Sequence, residues 1–337
     1  MKAETIPSNF LDIDCKKVTD EICQRLVAVL TEIHKRGLVV AVSGGVDSAV
    51  CAALAVKAVG AGKVFGLLLP ERDSSSASEN LGRQLTEQLG IEYLKQNIAP
   101  ALDAIECYRW RDDAIRAVIP DYQAHWKSKL VISKGQEGGF SFFKIIVQRD
   151  DGSLIEQRLP HKQYLQLVAA TNYKQRIRKT IEYFHADRLN YAVIGTPNRL
   201  EYDQGFFVKN GDGSADIKPI AHLYKTQVYA LARYLGLPQA ICQALPTTDT
   251  YSLPQGQDEF YFTLPYQQMD SALWAYNHDL SAQALAAHLD INETAAASIY
   301  RDIELKRRST RYLHARPYLM EQVNIETQAS TVRGSDK

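Results

Sequence analysis

An apolar run, two glycines and an acid follow one another in Leu38-Val39-Val40-Ala41-Val42-Ser43-Gly44-Gly45-Val46-Asp47-Ser48. The apolar run predicts a buried β-strand, and the small apolar residues at 49–55 predict a helix directly after it. The glycines then lie at a turn from strand to helix, where free backbone N–H groups and the positive end of the helix dipole point at one place. A turn of this kind can bind an anion such as phosphate.

The side chains of the turn add to this prediction. Ser43 and Ser48 supply hydroxyl donors, whereas the carboxylate of Asp47 would repel a phosphate unless a cation lay between them. Asp47 therefore predicts Mg2+. The turn lacks the glycine spacing and the lysine of a Walker A loop, so it is a different phosphate-binding motif. The alternative is a chance Gly-Ser turn without a ligand, which the flanking strand and helix disfavour.

The order of the apolar segments predicts an α/β fold with a doubly wound parallel sheet. A helical pattern at 17–36, ended by Gly37, precedes the first strand. Further strands are predicted at 63–69, 91–97 and 191–194. Parallel strands place their carboxyl ends at one edge of the sheet, where ligands bind, so the polar segments 71–76 and 195–201 should meet there. The serines at 74–76 can instead cap the helix that follows them.

The alternation of strands and helices stops between residues 108 and 164. Two β-type runs, 140–147 and 153–155, flank an Asp150-Asp151-Gly152 turn and predict a β-hairpin. We expect this insertion to cover the site or to act as a packing arm, with a separate binding module as a weaker alternative. The predicted division is 1–107 and 165–250 as two halves of one domain, 108–164 as the insertion, and 251–337 as a small C-terminal helical part and tail.

Composition disfavours several classes of protein. The 337 residues include 39 basic and 39 acidic ones, so no overall charge favours nucleic acid or an anionic membrane. Five cysteines without a C-x-x-C pair favour reduced thiols over disulfides or a zinc site. No apolar run approaches the roughly 20 residues of a membrane span, and the N-terminus lacks the pattern of a signal peptide. We therefore expect a cytoplasmic protein that binds neither nucleic acid nor membrane.

Polar motifs follow the glycine turn in a definite order. They are Asn172-x-Lys174-x-Arg176-x-Arg178, Gly195-Thr196, Glu201, Lys209, Gly211-Asp212-Gly213, Asp216, Pro219, Lys225, Pro246-Thr247, Asp258-Glu259, Tyr266 and Asp270. The turn alone resembles the pyrophosphate loop (PP-loop) of the N-type ATP pyrophosphatases, which have an adenine nucleotide alpha hydrolase-like sheet. Together with the later motifs, it resembles ammonia-dependent NAD synthetases over most of the chain outside 108–164.

The resemblance implies a role for many of these positions. The implied ATP site consists of Ser43, Gly44, Gly45, Val46, Asp47, Ser48, Thr196, Lys225 and Thr247. Asp47 and Glu201 would hold Mg2+, and Asp47 and Lys225 would act in catalysis. The implied deamido-NAD site consists of Arg176, Lys209, Asp216 and Lys306. The alternative for each is a structural role, but a cation such as Lys225 at a helix start is disfavoured by the helix dipole, which favours an anionic ligand.

The resemblance also implies the reaction. ATP would activate deamido-NAD as an acyl-adenylate, and ammonia would amidate it with release of AMP and pyrophosphate. A homodimer is implied, and because no stretch resembles a glutaminase, free ammonia or a separate glutaminase would supply the nitrogen. Val208 and Leu305 stand where the family usually has Thr and His, so a related AMP-forming amide ligase for a different carboxylate is the alternative. A tRNA-modifying enzyme and a nucleotide-binding regulator without turnover are the rival classes.

Overall fold

A four-stranded parallel sheet forms the centre of the computed structural model, which describes residues 5–133, 142–247, 250–321 and 323. The strands in chain order are β1 (Leu38–Ala41), β2 (Val64–Leu68), β3 (Glu92–Lys95), β4 (Lys127–Ser133), β5 (Phe142–Gln148), β6 (Leu154–Arg158) and β7 (Ala192–Val193). The central sheet has the order β3-β2-β1-β7, with every neighbouring pair parallel. The carboxyl ends of these four strands therefore lie at one edge.

Helices surround the sheet and extend the chain beyond it. They are α1 (Cys15–Glu32), α2 (Val46–Val59), α3 (Ser76–Leu89), α4 (Ala99–Ala104), α5 (Cys107–Arg116), α6 (His161–Leu189), α7 (Arg199–Gln204), α8 (Lys225–Tyr234), α9 (Gln239–Gln243), α10 (Tyr266–Asn277), α11 (Ala282–Leu289) and α12 (Glu293–His314). None of the helices in the described part of the chain is long and apolar enough to cross a lipid bilayer.

Both faces of the central sheet are buried. Leu38 and Val40 of β1 pack in a core with α1, α2 and α8, whereas Val39 packs in a second core with α4, α5 and α6. Alternate residues of a strand point to opposite faces, so a strand that is apolar throughout needs a helical layer on each side. The predicted doubly wound α/β sheet is confirmed, and its predicted strands are each slightly longer than the observed ones.

The first helix differs from its predicted bounds. Asp14 begins it by accepting the Lys17 N–H at 3.0 Å. The helix ends at Glu32, because His34 has a left-handed φ of 54° that a helix does not tolerate. The prediction that Gly37 ends this helix is therefore wrong. Ser75 caps α3 by accepting the Ser78 N–H, which confirms the capping role considered for the serines at 74–76.

The insertion contains a three-stranded antiparallel sheet, with the order β4-β5-β6. β5 and β6 form the expected hairpin around the Asp150-Asp151-Gly152 turn, in which Arg149 donates its N–H to Ser153 at 2.9 Å. Phe140 and Ser141, where the first strand of this hairpin was predicted to begin, lie outside the described residues. β4 was not predicted, because its short apolar centre is flanked by lysines and serines.

Helix α6 belongs to the insertion and to the central domain at once. Leu167 packs in the core that the three-stranded sheet shares with α5, whereas Ala186 packs against the central sheet. Since α6 begins at His161, the predicted division between residues 164 and 165 falls inside a helix. The insertion is thus joined to the parallel sheet by a continuous helix.

The predicted C-terminal helical part is present as α10, α11 and α12. These helices share a core that includes Met269, Leu285 and Ile303. Helix α12 is the longest of the three and continues to His314. Its last turns lie against residues that follow β7, which brings the C-terminal part to the edge of the sheet where the strands end.

Candidate active site

A cavity of about 1800 Å3 opens at the carboxyl edge of the central sheet. Its walls come from the loops after β1, β2 and β7, from the segment around residues 244–257, and from parts of α6 and α12. Lys127, Ile132, Phe143 and Tyr164 of the insertion also line it. Pockets for single small ligands are usually about 300–1,000 Å3, so this cavity is large enough for more than one substrate.

The glycine turn forms one end of the cavity. Gly44 has a φ of +85°, and a Cβ at this position would lie 2.3 Å from the Ser78 carbonyl oxygen, so only glycine fits. Ser48 donates its hydroxyl to the Gly45 carbonyl at 3.0 Å and accepts the Ser43 N–H at 3.2 Å. Gly45 begins α2 without a side-chain cap, so the N–H groups of the first turn of α2 remain available to an anion.

Asp47 and Lys225 meet beside this turn, although 178 residues separate them in sequence. The Lys225 ammonium bonds one carboxylate oxygen of Asp47, and the Asn198 amide donates to the other at 3.1 Å. Lys225 is 2% exposed and stands at the first position of α8. Burial opposes its charge, but Asp47 and Glu201 outweigh that effect and raise the pKa of the Lys225 ammonium. Lys225 is therefore a permanent cation at the glycine turn.

Glu201 is the second carboxylate of this group. One of its oxygens accepts the Asn198 N–H at 3.1 Å as part of the capping box that begins α7, and the other accepts the Gln257 amide at 3.0 Å. Burial, and then the negative charge of Asp47, raise the pKa of Glu201 to about 7. Two carboxylates share a single lysine here, so the group of three carries an excess of negative charge when both acids are ionised.

The other residues of the implied ATP site line the same cavity. Thr196 follows β7, and Thr247 forms an antiparallel bridge with Gly256. All nine positions of that predicted set lie on the cavity wall together with Glu201. The fold brings these positions together from four separate parts of the chain, while their individual roles remain predictions.

Three of the four residues of the implied deamido-NAD site also line the cavity. Arg176 donates to the Lys209 carbonyl at 3.3 Å, and the Lys209 ammonium donates to the carbonyls of Tyr312 at 2.9 Å and Ala315 at 3.4 Å. Lys306 pairs with Asp302 at 2.6 Å. Lys209 and Lys306 therefore already stabilise α12, and substrate binding would be an additional role for all three cations.

Asp216 lies elsewhere. Its carboxylate accepts the N–H of Val193 at 2.7 Å and the Tyr183 hydroxyl at 3.4 Å, and it is not among the described residues of the cavity wall. The contact fixes the short strand β7, which agrees with the structural alternative stated for this residue. Its assignment to the substrate remains a prediction.

A buried network of charges beside the cavity was not predicted. Lys174, 2% exposed, donates to Glu71 at 2.9 Å, to Asp73 at 2.7 Å and to the Thr250 carbonyl at 2.8 Å. Arg111 of the insertion donates to Asp73 at 2.8 Å. Burial alone would raise the pKa of Asp73, but Lys174 and Arg111 hold it below its ordinary value. A signal existed in the sequence, since Lys174 continues the buried spacing of Leu167 and Ala170 on α6.

Solved structures share the fold of this chain. An NMN synthetase from Francisella tularensis has a TM-score of 0.64 at 23% identity, over 91% of this chain and 99% of that one. An NH3-dependent NAD synthetase from Campylobacter jejuni, in complex with a nitrate ion, has a TM-score of 0.61 at 23% identity, over 92% of this chain and 100% of that one.

Relatives found by sequence have a higher identity with this chain than these solved structures do. An NH(3)-dependent NAD(+) synthetase from Rhizobium meliloti (strain 1021) is 53% identical over 93% of this chain and 94% of its own length. One from Mesorhizobium japonicum is 52% identical over 93% of this chain and 99% of its own length. The family model described as NAD synthase matches residues 18–133 and 144–311. The chain therefore belongs to the NAD synthase family.

Proposed function

We propose that this protein is an AMP-forming carbon–nitrogen ligase that amidates deamido-NAD with ammonia and produces NAD. The observation that carries this function is the meeting of Asp47, Lys225 and Glu201 beside an uncapped glycine turn, in a chain half identical to NH3-dependent NAD synthetases. The turn supplies N–H donors for phosphate oxygens, and the large cavity has room for a dinucleotide next to ATP.

The chemistry requires activation of the acid first. A carboxylate is a poor electrophile, so one of its oxygens attacks the α-phosphorus of ATP, and the bond to pyrophosphate breaks. Ammonia then attacks the acyl carbon, AMP leaves with the shared oxygen, and the nitrogen loses a proton to give the amide. The N–H groups of the turn and the Lys225 ammonium stabilise negative charge on the departing pyrophosphate.

Magnesium fits the charges of this site. Asp47 and Glu201 carry more negative charge than Lys225 neutralises, and the raised pKa of Glu201 reflects its burial and that excess. The described residues contain no cluster of three or more His, Cys, Asp or Glu that could hold a metal ion by themselves. Mg2+ usually takes one or two carboxylates and completes its shell with phosphate oxygens and water. Asp47 and Glu201 would hold it, and it would neutralise phosphate charge.

The end of the cavity near α12 is the proposed site for the dinucleotide. Arg176, Lys209 and Lys306 bring three cations to that wall, which suits the diphosphate of deamido-NAD. Asp216 remains a prediction for this site, and its carboxylate accepts the N–H of Val193 in the structure. A homodimer, a cytoplasmic location, and ammonia taken from solution or from a separate glutaminase complete the proposal, and binding to tRNA is not expected.

The second candidate is the same adenylation chemistry on a different carboxylate. It is favoured by Val208 and Leu305, which both line the cavity and stand where the family usually has Thr and His. The solved NMN synthetase suggests nicotinate mononucleotide as one acid to compare with deamido-NAD.

The test measures which acid supports AMP release. The purified protein, supplied with Mg-ATP and ammonium, should form NAD and AMP in equal amounts from deamido-NAD. Nicotinate mononucleotide and a panel of other acids should give slower AMP release at equal concentration. Faster turnover of another acid would establish the second candidate, and the absence of AMP with every acid would favour a regulator without turnover.

A further inference from the structure

We infer that the insertion has a definite task in the ligand-free enzyme, which is to hold one wall of the ATP cavity in place before ATP binds. The wall is residues 250–259, called here the roof segment, and the positioning residues are Lys129 of β4 and Lys174 of α6. The inference deepens the proposed function, because it concerns the site at which that proposal places ATP.

The roof segment lies along the outer edge of β4. Ser128 donates its N–H to the Ser252 hydroxyl at 2.8 Å, and Leu253 donates its N–H to the Ser128 carbonyl at 3.2 Å. The Gln255 side-chain amide donates to the carbonyl of Leu130. The other edge of β4 is paired with β5. An edge strand has unpaired backbone groups, and here the roof segment satisfies several of them in the manner of an added strand.

Lys129 adds a charged contact to this edge. Its ammonium bonds the Glu259 carboxylate at 2.5 Å and the Pro254 carbonyl at 3.3 Å. The side chain of Lys129 is 18% exposed, so water screens this pair less than it screens a fully exposed one. One lysine of the insertion thus binds two separate points of the roof segment.

Lys174 holds the other end of the roof segment. It donates to the Thr250 carbonyl while its remaining bonds go to Glu71 and Asp73, and Arg111 of the insertion completes the charge balance. Glu71 and Asp73 flank Arg72, which lines the ATP cavity. The same network therefore fixes the loop after β2 and the start of the roof segment relative to each other.

The roof segment in turn positions groups of the candidate active site. Gln257 donates to Glu201, one of the two proposed Mg2+ carboxylates, and Gly256 bridges Thr247 of the implied ATP site. If the insertion orders this segment during folding, the segment loses no further conformational entropy when ATP binds. The free energy of ATP binding is then more favourable. The expected consequence is a lower KM for ATP, with little effect on the chemical step once ATP is bound.

The test compares matched lysine variants of the insertion. Lys129→Met removes the charged contact with the roof segment. Lys144→Met is the control, because Lys144 of β5 pairs with Glu156 of β6 at 2.5 Å, and these two strands lie farther from the roof segment than β4 does. Glu259→Gln weakens the Lys129 contact from the other side. Lys174→Met is not the primary variant, since it leaves Glu71 and Asp73 buried without their main cation and threatens folding.

In the ligand-free protein, Lys129→Met should speed hydrogen exchange of residues 250–257 by at least about tenfold, because the closed state of the segment loses a charged hydrogen bond. The KM for ATP should rise by about tenfold, with kcat at saturating ATP within about twofold of wild type. Glu259→Gln should give a similar change, and the double variant should add little to either single one. Lys144→Met should change neither quantity.

Unchanged exchange of residues 250–257 in Lys129→Met overturns the inference, as does an equal effect of Lys144→Met. A fall in kcat with no change in the KM for ATP also overturns it, because that result would place Lys129 in the chemical step. Hydrogen exchange is measured without substrate, so it separates the two proposals. Faster exchange in a protein that does not use deamido-NAD leaves the inference standing and overturns the proposed function alone.

Discussion

Lys225 is a buried cation at the start of a helix, where the helix dipole disfavours it. A cation at this position predicts an anionic ligand. The structure shows that the protein supplies one anion itself, because Asp47 bonds the Lys225 ammonium. A phosphate of ATP would then share Lys225 with Asp47, and a divalent cation would offset the remaining negative charge of Asp47 and Glu201.

Replacement of Lys225 by methionine should abolish most activity and should also destabilise the fold, because Asp47 and Glu201 lose a buried cation. The change would remove the cation proposed to stabilise the departing pyrophosphate and would leave the negative charges of Asp47 and Glu201 without Lys225 to offset them, so kcat/KM should fall by about 10²- to 10³-fold. Steady-state rates and far-UV circular dichroism measure the two effects. Lys57→Met, at an exposed position of α2, is the matched control and should keep wild-type rates. A loss of only a few-fold in Lys225→Met would remove Lys225 from the catalytic group.

Asp270 predicts a pH dependence of stability. Its carboxylate accepts the N–H groups of Lys225 at 3.1 Å and Thr226 at 2.7 Å, and burial raises its pKa from 3.8 to about 6. The folded state therefore binds a proton more tightly than the unfolded state. The resulting stability is complete below pH 3.8 and is lost as the pH rises to about 6, by up to about 3 kcal/mol.

Urea unfolding of wild type and Asp270→Asn checks whether the free energy of unfolding falls with rising pH as expected. The asparagine does not titrate, so the free energy of unfolding of wild type minus that of the variant should fall between pH 4.5 and 6.5 and stay constant from 7 to 8. A difference that is independent of pH would show that Asp270 keeps one protonation state throughout this range.

Several residues of the implied ATP site follow strands or lie in the first turn of a helix. Asp47 and Glu201 lie in the first turns of the helices after β1 and β7, so the topology alone brings them to one edge. The position of Asp216 could not be predicted in the same way. A carboxylate next to a strand end can point into the cavity or bond the strand, and sequence spacing does not distinguish the two.

At the scale of elements, the apolar runs alone were enough to predict the strands that are buried on both faces. β1 and β2 are continuous apolar segments, which have few other stable arrangements in a globular protein. β4 was missed for the opposite reason. Its inner residues pack on the insertion core, but its edge is completed by the roof segment, about 120 residues later in the chain. Local sequence carries no information about such a distant partner.

The turn between β1 and α2 gives a prediction at this scale. Gly44→Ala should displace the start of α3, because the new Cβ would meet the Ser78 carbonyl. Gly60→Ala is a close control, since Gly60 has a φ of +83° but no atom within 4 Å of an added Cβ. Both variants carry the strain of a positive φ, and Gly44→Ala should lose about 1–3 kcal/mol more in urea unfolding.

ATP affinity separates the same two variants more sharply. Gly44→Ala should weaken ATP binding, measured by calorimetry, by at least about tenfold, because the turn can no longer approach a phosphate closely. Gly60→Ala should bind ATP as wild type does. Equal losses in both variants would mean that backbone strain, rather than the close approach of Gly44 to Ser78, sets the requirement for glycine.

At the scale of the whole molecule, α6 joins two cores that the sequence suggested were separate. Its first half packs on the antiparallel sheet of the insertion and its second half on the central sheet. A helix that crosses both cores transmits a loss of packing from one to the other, because unfolding either core would expose half of the helix. The insertion should therefore unfold together with the central domain.

Leu167→Ala tests this cooperativity. Leu167 is 1% exposed in the insertion core, so Leu167→Ala should lower the free energy of unfolding by about 2–5 kcal/mol. Leu165 is 51% exposed on the same helix, so Leu165→Ala should lower it by less than about 0.5 kcal/mol. Urea unfolding is followed by fluorescence in two backgrounds that retain only Trp126, in the insertion, or only Trp274, in α10. The two probes should report one midpoint, shifted equally by Leu167→Ala. A midpoint at lower urea for Trp126 alone would show that the insertion is an independent unit.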